Sequence, residues 1–174
     1  MVRKLLKHEG LIILLAITIV LRLPSLWEPY WYGDEQIYLT IGQGIRKGLV
    51  LYRDITDYPN KPPLIYLLAA GARSVFGFRL ILMAWSLVQL VVVNQLLKQV
   101  LPKRQLLVWG GSLAVALLTG LPLLEGNIAN GEIFMIMPVT AGMLLLWQAR
   151  FYFLSGILFS IGFLFKIPVA ADVI

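Results

Sequence analysis

The sequence predicts an all-α membrane protein, with about five transmembrane helices and interfacial (juxtamembrane) helices in a long first external loop. Three observations lead there. The 174 residues are 59% hydrophobic and only 14% charged, with a mean hydropathy of +0.82, whereas soluble domains are roughly 45–50% apolar. The apolar residues fall into long runs separated by short polar segments. None of these runs alternates with a period of two, so the barrel solution is excluded and helices must satisfy the backbone internally.

The elements follow in order. Residues 1–9 form a basic tail with Arg3, Lys4 and Lys7, and residues 10–26 form the first span, with Arg22 expected to snorkel toward the interface. No small-x-small site follows this run, so it reads as an uncleaved anchor rather than a signal peptide. Residues 27–79 make the external loop. Its apolar piece from Leu64 to Phe76 falls short of the ~20 residues a span needs, so it reads as an interfacial helix with Pro62 and Pro63 at its first turn and Gly77 at its end. Residues 80–97, 106–121, 133–147 and 151–166 are the second to fifth spans.

Orientation comes from the short loops. Arg3, Lys4 and Lys7, the segment from Lys98 to Arg104, and Arg150 share one side, while residues 120–131 contain no Lys or Arg. The positive-inside rule then puts the N-terminus in the cytoplasm of a multi-pass plasma (inner) membrane protein. The long loop, with Arg46, Lys47, Arg53, Lys61, Arg73 and Arg79, votes the other way, but loops near ~60 residues carry less weight. Asp34, Glu35, Lys61 and Glu132 would then share the extracytoplasmic face.

Composition also excludes functions. There is no cysteine, hence no disulfide or thiolate chemistry. The single histidine, His8, lies in the basic tail and reads as a solvated or headgroup residue. The net charge of +6 is interspersed with apolar stretches, which argues for membrane lipids and against nucleic acid as partner. No cofactor is called for by any motif, and a divalent metal is left open.

Ionisable groups beside hydrocarbon are costly and are kept mainly for function. Asp34 and Glu35 follow the interfacial aromatic run Tyr30-Trp31-Tyr32 and the turn residue Gly33. Asp34 is placed either to cap a helix running through Tyr38 and Ile41 or to act as a general base. Lys61 precedes two prolines at a helix start, an arrangement suited to a phosphate, or simply a snorkelling lysine. The glycines Gly42, Gly44 and Gly48 follow no strand and lack the Lys-Ser/Thr ending of a phosphate loop. Glu132 either favours a helix N-terminus or binds substrate. Asn127 and Asn130 either bind sugar hydroxyls or make turns. Lys166, set in an apolar run, needs a cavity, an anion or the interface.

Taken together, the anchor, the aromatic stretch ending in Asp34-Glu35, Leu51-Tyr52-Arg53-Asp54, Lys61-Pro62-Pro63-Leu64-Ile65-Tyr66, Phe76-Gly77 and the Arg79-initiated span resemble the N-terminal part of the GT-C membrane glycosyltransferases. The branch is that of the protein O-mannosyltransferases and lipid A aminoarabinose transferases (family 39-like). The resemblance implies an inverting transfer from a polyprenyl-phosphate-linked sugar to a hydroxyl acceptor (protein, lipid or polysaccharide). By the same resemblance Asp34, with Glu35, supplies the catalytic base, Lys61 holds the donor phosphate, Glu132 positions substrate, and Lys166 assists anion binding; Asn130, from its own reading, joins Glu132 as a substrate-positioning candidate. The aminoarabinose transferases have an acidic residue where this chain has Asn60, and family members continue through further spans, so the chain reads as an N-terminal portion. The contrasting reading is a transporter or lipid-binding subunit without transfer chemistry, or an inactive fragment.

Overall fold

The computed structural model describes residues 2–29, 32–57 and 59–168, with the backbone alone for residues 2–9. The expectations placed on Tyr30, Trp31, Tyr58 and Asp172, and on the His8 side chain, lie outside the described residues. Among those residues the chain is all-helical: α1 (Val2–Arg22), α2 (Gly33–Arg46), α3 (Leu64–Ala72), α4 (Val75–Val100), α5 (Gln105–Leu118), α6 (Gly131–Trp147) and α7 (Tyr152–Phe165). Short 3-10 turns, Pro24–Leu26 and Pro122–Leu124, follow α1 and α5. No strand occurs among the described residues, beyond one isolated bridge between Leu51 and Ile55.

Helix α4 is central. It packs against α6 on one side and against α5 and α1 on the other, and α7 lies on α6. The paired helices α2 and α3 cover one end, where α3 touches α4 and α7. That end collects the C-termini of α1, α5 and α7 and the N-termini of α4 and α6, as the contacts described below require. Its core is an aromatic stack: Phe134 lies parallel to Phe78 and Phe165 at 5.7 and 5.5 Å. Trp85 meets Phe134 edge-on and donates its indole N–H to the Phe134 carbonyl at 3.0 Å.

Local chemistry sets the boundaries. Ser74 caps α4 by accepting from the Gly77 amide, and Asn130 caps α6 by accepting from Ile133. Helix α2 ends where Gly48 takes φ +91°, open to glycine at little cost. Three sequence expectations are corrected here. Helix α3 stops at Arg73, in a left-handed conformation (φ 63°), so Gly77 belongs to the first turn of α4 and ends nothing. Asp34 is not a cap: the N-cap of α2 is Tyr32, without a side-chain bond, and Asp34 stands in the first turn. Arg22 does not snorkel. It is buried and donates to the carbonyls of Thr119 and Gly126, closing the end of α5 and the loop beyond it.

Gly42 lets α2 approach α3. A Cβ there would meet the Ala70 amide nitrogen at 2.6 Å and the Ala69 carbonyl carbon at 2.9 Å, both backbone atoms that cannot step aside. Gly42→Ala is expected to lower stability by roughly 1–3 kcal/mol, read as a lower melting temperature of the detergent-solubilised protein. An unchanged melting temperature would mean that the two helices are not held at this separation.

One helix among the described residues, α4, is long and apolar enough to cross a membrane. The apolar helical stretches Gly10–Leu26, Gln105–Leu118, Gly131–Trp147 and Tyr152–Phe165 are shorter. Large side chains nonetheless face outward along the helices, including Ile12, Val20, Val88, Leu106, Leu118 and Phe153.

Candidate functional site

The site begins with the backbone around Lys61. Pro62 and Pro63 fix φ just ahead of α3, and two tyrosines hold the lysine itself. Its amide donates to the Tyr66 hydroxyl at 3.1 Å, and its carbonyl accepts from the Tyr52 hydroxyl at 2.6 Å. Tyr52 takes a positive φ of 65° to do so, a cost that non-glycine residues bear mainly where the surroundings enforce it. The Lys61 side chain is therefore aimed rather than left to wander.

It is aimed at Asp34. Lys61 Nζ donates to Asp34 Oδ2 at 3.0 Å, and the Tyr38 hydroxyl, one turn along α2, donates to the same oxygen at 3.0 Å. The ammonium also lies 5.7 Å from the centre of the Tyr38 ring. Oδ1 of Asp34 carries no hydrogen bond among the described residues, and the side chain is 53% exposed. Partial burial pushes the Asp34 carboxyl up, but the Lys61 ammonium and the Tyr38 hydroxyl outweigh it, with help from Lys166, and hold it below its ordinary value. For Lys61, burial pulls down while Tyr38 and Asp34 pull up, and the net effect is a raised value. Burial pushes the Tyr38 hydroxyl up to about 12. At neutral pH the trio is a carboxylate, an ammonium and a neutral phenol.

A second ion pair stands nearby. Lys166, at the end of α7, contacts Glu132 Oε1 in the first turn of α6. Oε2 of Glu132 is buried without a partner among the described residues. A cleft of about 270 Å³ separates the first turn of α2 from this loop, lined by Tyr32, Gly33, Asp34, Glu125, Asn130 and Glu132. Asp34 and Glu132, 98 positions apart in sequence, thus face one hollow, each with a lysine behind it. Asn130 lines the cleft as well, although its Oδ1 is engaged as the cap of α6. Asn127 is drawn elsewhere and donates to Glu28 Oε2 at 2.9 Å. Among the described residues no group of three or more metal-binding side chains is placed to hold an ion.

Glu35 parts company with Asp34. It is fully buried and forked onto Arg79, whose Nε lies 3.0 Å from Oε1 and whose Nη2 lies 2.6 Å from Oε2. Arg79 Nη1 donates further to the carbonyls of Ser25 and Glu28 at 2.7 Å, and the Ala129 amide donates to Glu35 at 3.3 Å. This pair joins the segment after α1, the start of α2, the start of α4 and the loop before α6. Glu35 has no open edge toward the cleft, and its work here is to hold the elements that frame the site.

The sequence reading missed Arg79 as a partner, and missed Tyr38, Tyr52 and Tyr66 as positioning groups. A signal existed for Arg79. A cation in the first turns of a long apolar helix calls for a buried anion or carbonyl acceptors, although nothing local singled out Glu35 as the partner. For the tyrosines only proximity in the fold reveals the part they play.

Comparison with protein-family models, characterised proteins and solved structures finds no match for this chain.

Proposed function

We propose that the chain is an integral-membrane glycosyltransferase that moves a sugar from a polyprenyl-phosphate donor to a hydroxyl acceptor, with inversion, on the extracytoplasmic face. The observation that carries this reading is the Asp34–Lys61 pair: a half-open carboxylate and a positioned ammonium, at the end of a helical bundle with an apolar exterior. The chemistry needs both charges. Asp34 Oδ1 accepts the proton of the acceptor hydroxyl while that oxygen attacks the anomeric carbon. The bond from the anomeric carbon to the phosphate oxygen breaks, and its electron pair stays on the phosphate. Lys61 neutralises the charge that builds there, the principal electrostatic demand of the step. Glu132 lines the cleft and positions substrate there, and Lys166 adds positive charge on the phosphate side. Glu35 takes no part in the reaction.

The five-span arrangement belongs to the same proposal. A helix of the length of α5 or α7, 14 residues, rises about 21 Å, against a hydrocarbon core of ~30 Å. The 3-10 turn after α5, local thinning of the bilayer and interfacial anchors would make up the difference. With the N-terminus cytoplasmic, Lys98, Lys103, Arg104 and Arg150 lie inside and the cleft outside.

The test is transfer itself. Vesicles carrying the full chain, given isotope-labelled polyprenyl-phosphate sugar and a hydroxyl acceptor fraction, are expected to form a new glycosidic bond with inverted configuration. Uptake of label into the vesicle lumen without such a bond would replace the enzyme by a transporter. Absence of both would leave the proposal without support and end it.

A further inference from the structure

Helix α2 has a second working face. At about 100° per residue, Gln36, Thr40 and Gln43 lie opposite Asp34 and Tyr38, and they border a cavity of about 430 Å³ completed by Arg46, Arg73 and Ser74. Among the described residues no carboxylate lines it, so two cations converge on a pocket without a counter-charge. The Arg46 side chain is anchored by one hydrogen bond, and Arg73 is fixed through its backbone. Arg46 Nη1 donates to the Ala70 carbonyl at 2.9 Å, which orients the guanidinium and leaves its other N–H groups free. Arg73 sits at φ 63°, immediately after α3, in a conformation that usually falls to glycine. Its amide donates to the Ala69 carbonyl at 3.2 Å, while its guanidinium has no bond among the described residues. Five other non-glycine residues share a positive φ among the described residues, so the use of the Arg73 side chain is read from the pocket it lines beside Arg46.

The neighbouring hollow says what that use is. A cleft of about 330 Å³, lined by Gly33, Ile37 and Ile41, shares Gln36 and Thr40 with the basic pocket. One ligand entering both must have an anionic head and an apolar continuation. Guanidinium groups bind phosphate oxygens as forks, with more geometric selectivity than an ammonium, and Lys or Arg held near a membrane surface attracts anionic head groups. We infer that Arg46 and Arg73 bind the phosphate ester of an anionic membrane lipid, whose first chain carbons lie along Ile37 and Ile41. The basic pocket lies across α2 from Asp34 and Lys61, while the apolar cleft shares Gly33 with the cleft beside Asp34; binding there does not depend on the transfer reaction. It would fasten the α2–α3 pair to the membrane surface and steady the cleft.

The test reads bound lipid. The purified full chain, exchanged into nanodiscs of phosphatidylcholine with a minor share of phosphatidylglycerol, is expected to retain phosphatidylglycerol through native mass spectrometry. Arg46→Gln and Arg73→Gln should each weaken retention roughly tenfold, and Lys47→Gln, at an exposed neighbour, should not. Arg73→Gly removes the cation while relieving the backbone, so it should keep or raise the melting temperature and still lose the lipid. Retention unchanged in a folded Arg73→Gly protein overturns the inference. So does displacement of the lipid by millimolar inorganic phosphate, which would assign the pocket to a free phosphate. Equal retention of phosphatidylcholine would also overturn it, by showing that the charge is not read.

Discussion

Lys61→Met is expected to reduce transfer by about 10²–10³-fold, the usual loss when one group stabilising transition-state charge is removed. Asp34→Asn should cost about 10²–10⁴, the range for a general base. Neither change should greatly affect folding. The pair is half open on the Asp34 side, and pairs of that kind contribute about 0–1 kcal/mol, so activity should collapse while the melting temperature barely moves. The pH profile separates a base from a merely structural carboxylate. Asp34 lies below its ordinary 3.8 and must be ionised to act. Activity resting on it is therefore full above that value and is lost only as pH falls through the depressed one. Lys61, raised above 10.5, must be protonated, so its contribution is full below that value and fades above it. The kcat/KM profile should be flat with respect to both groups across the neutral range. In Lys61→Met the ammonium is gone and the upward push of burial on Asp34 remains, so the residual activity should show its acid limb at higher pH. An acid limb that does not move would detach Asp34 from the reaction.

The Lys61–Asp34 pair bears on the order of events in the proposed reaction. An incoming phosphate must share or take the ammonium. In the proposed reaction Asp34 would then lose the partner that depresses it and become a stronger base as the acceptor arrives. The two free-enzyme limbs and their displacement in the variant are the measurable trace of that exchange.

Much of this arrangement was legible in the chain because apolar run length and turn residues act locally. The starts of α5, α6 and α7 fall within two residues of the expected spans, and Asn130 at the start of α6 is ordinary capping chemistry. The errors have a shared origin in side chains whose partners are distant in sequence. Arg22 looked like an interfacial cation because nothing near it is an acceptor, yet its acceptors are carbonyls 97 and 104 positions away. Asp34 looked like a cap because capping is the commonest local use of an aspartate after a glycine, and Lys61 took it instead. Gly42 suggested nothing on its own, and its need is set by the backbone of Ala69 and Ala70. Patterns of charge told which residues were expensive, and the fold told what each was expensive for. Asp34 and Glu35 show it best: adjacent and chemically alike, they lie about 100° apart on the same helix turn, one facing the cleft and the other buried on Arg79.

The Glu35–Arg79 pair carries the largest expected effect on folding. Both groups are almost fully withdrawn from water and every strong contact of each is to the other or to a backbone group. Removing one partner leaves a buried charge without compensation, which typically costs about 3–5 kcal/mol. Glu35→Gln keeps the shape and removes the charge, so it isolates that electrostatic loss, and it should lower the melting temperature sharply and with it all transfer. Arg79→Met should do at least as much, because the carbonyls of Ser25 and Glu28 also lose their donor. Combining Glu35→Gln with Arg79→Met removes both charges, and the double variant should be distinctly more stable than the sum of the two losses implies. A coupling of that sign, measured by thermal unfolding in one detergent, is the mark of a charge pair. Simple additivity would show that the two side chains act separately. If instead Glu35→Gln folded normally and only transfer failed, Glu35 would have to be restored to the reaction beside Asp34, and the division of labour drawn between these neighbours would be wrong.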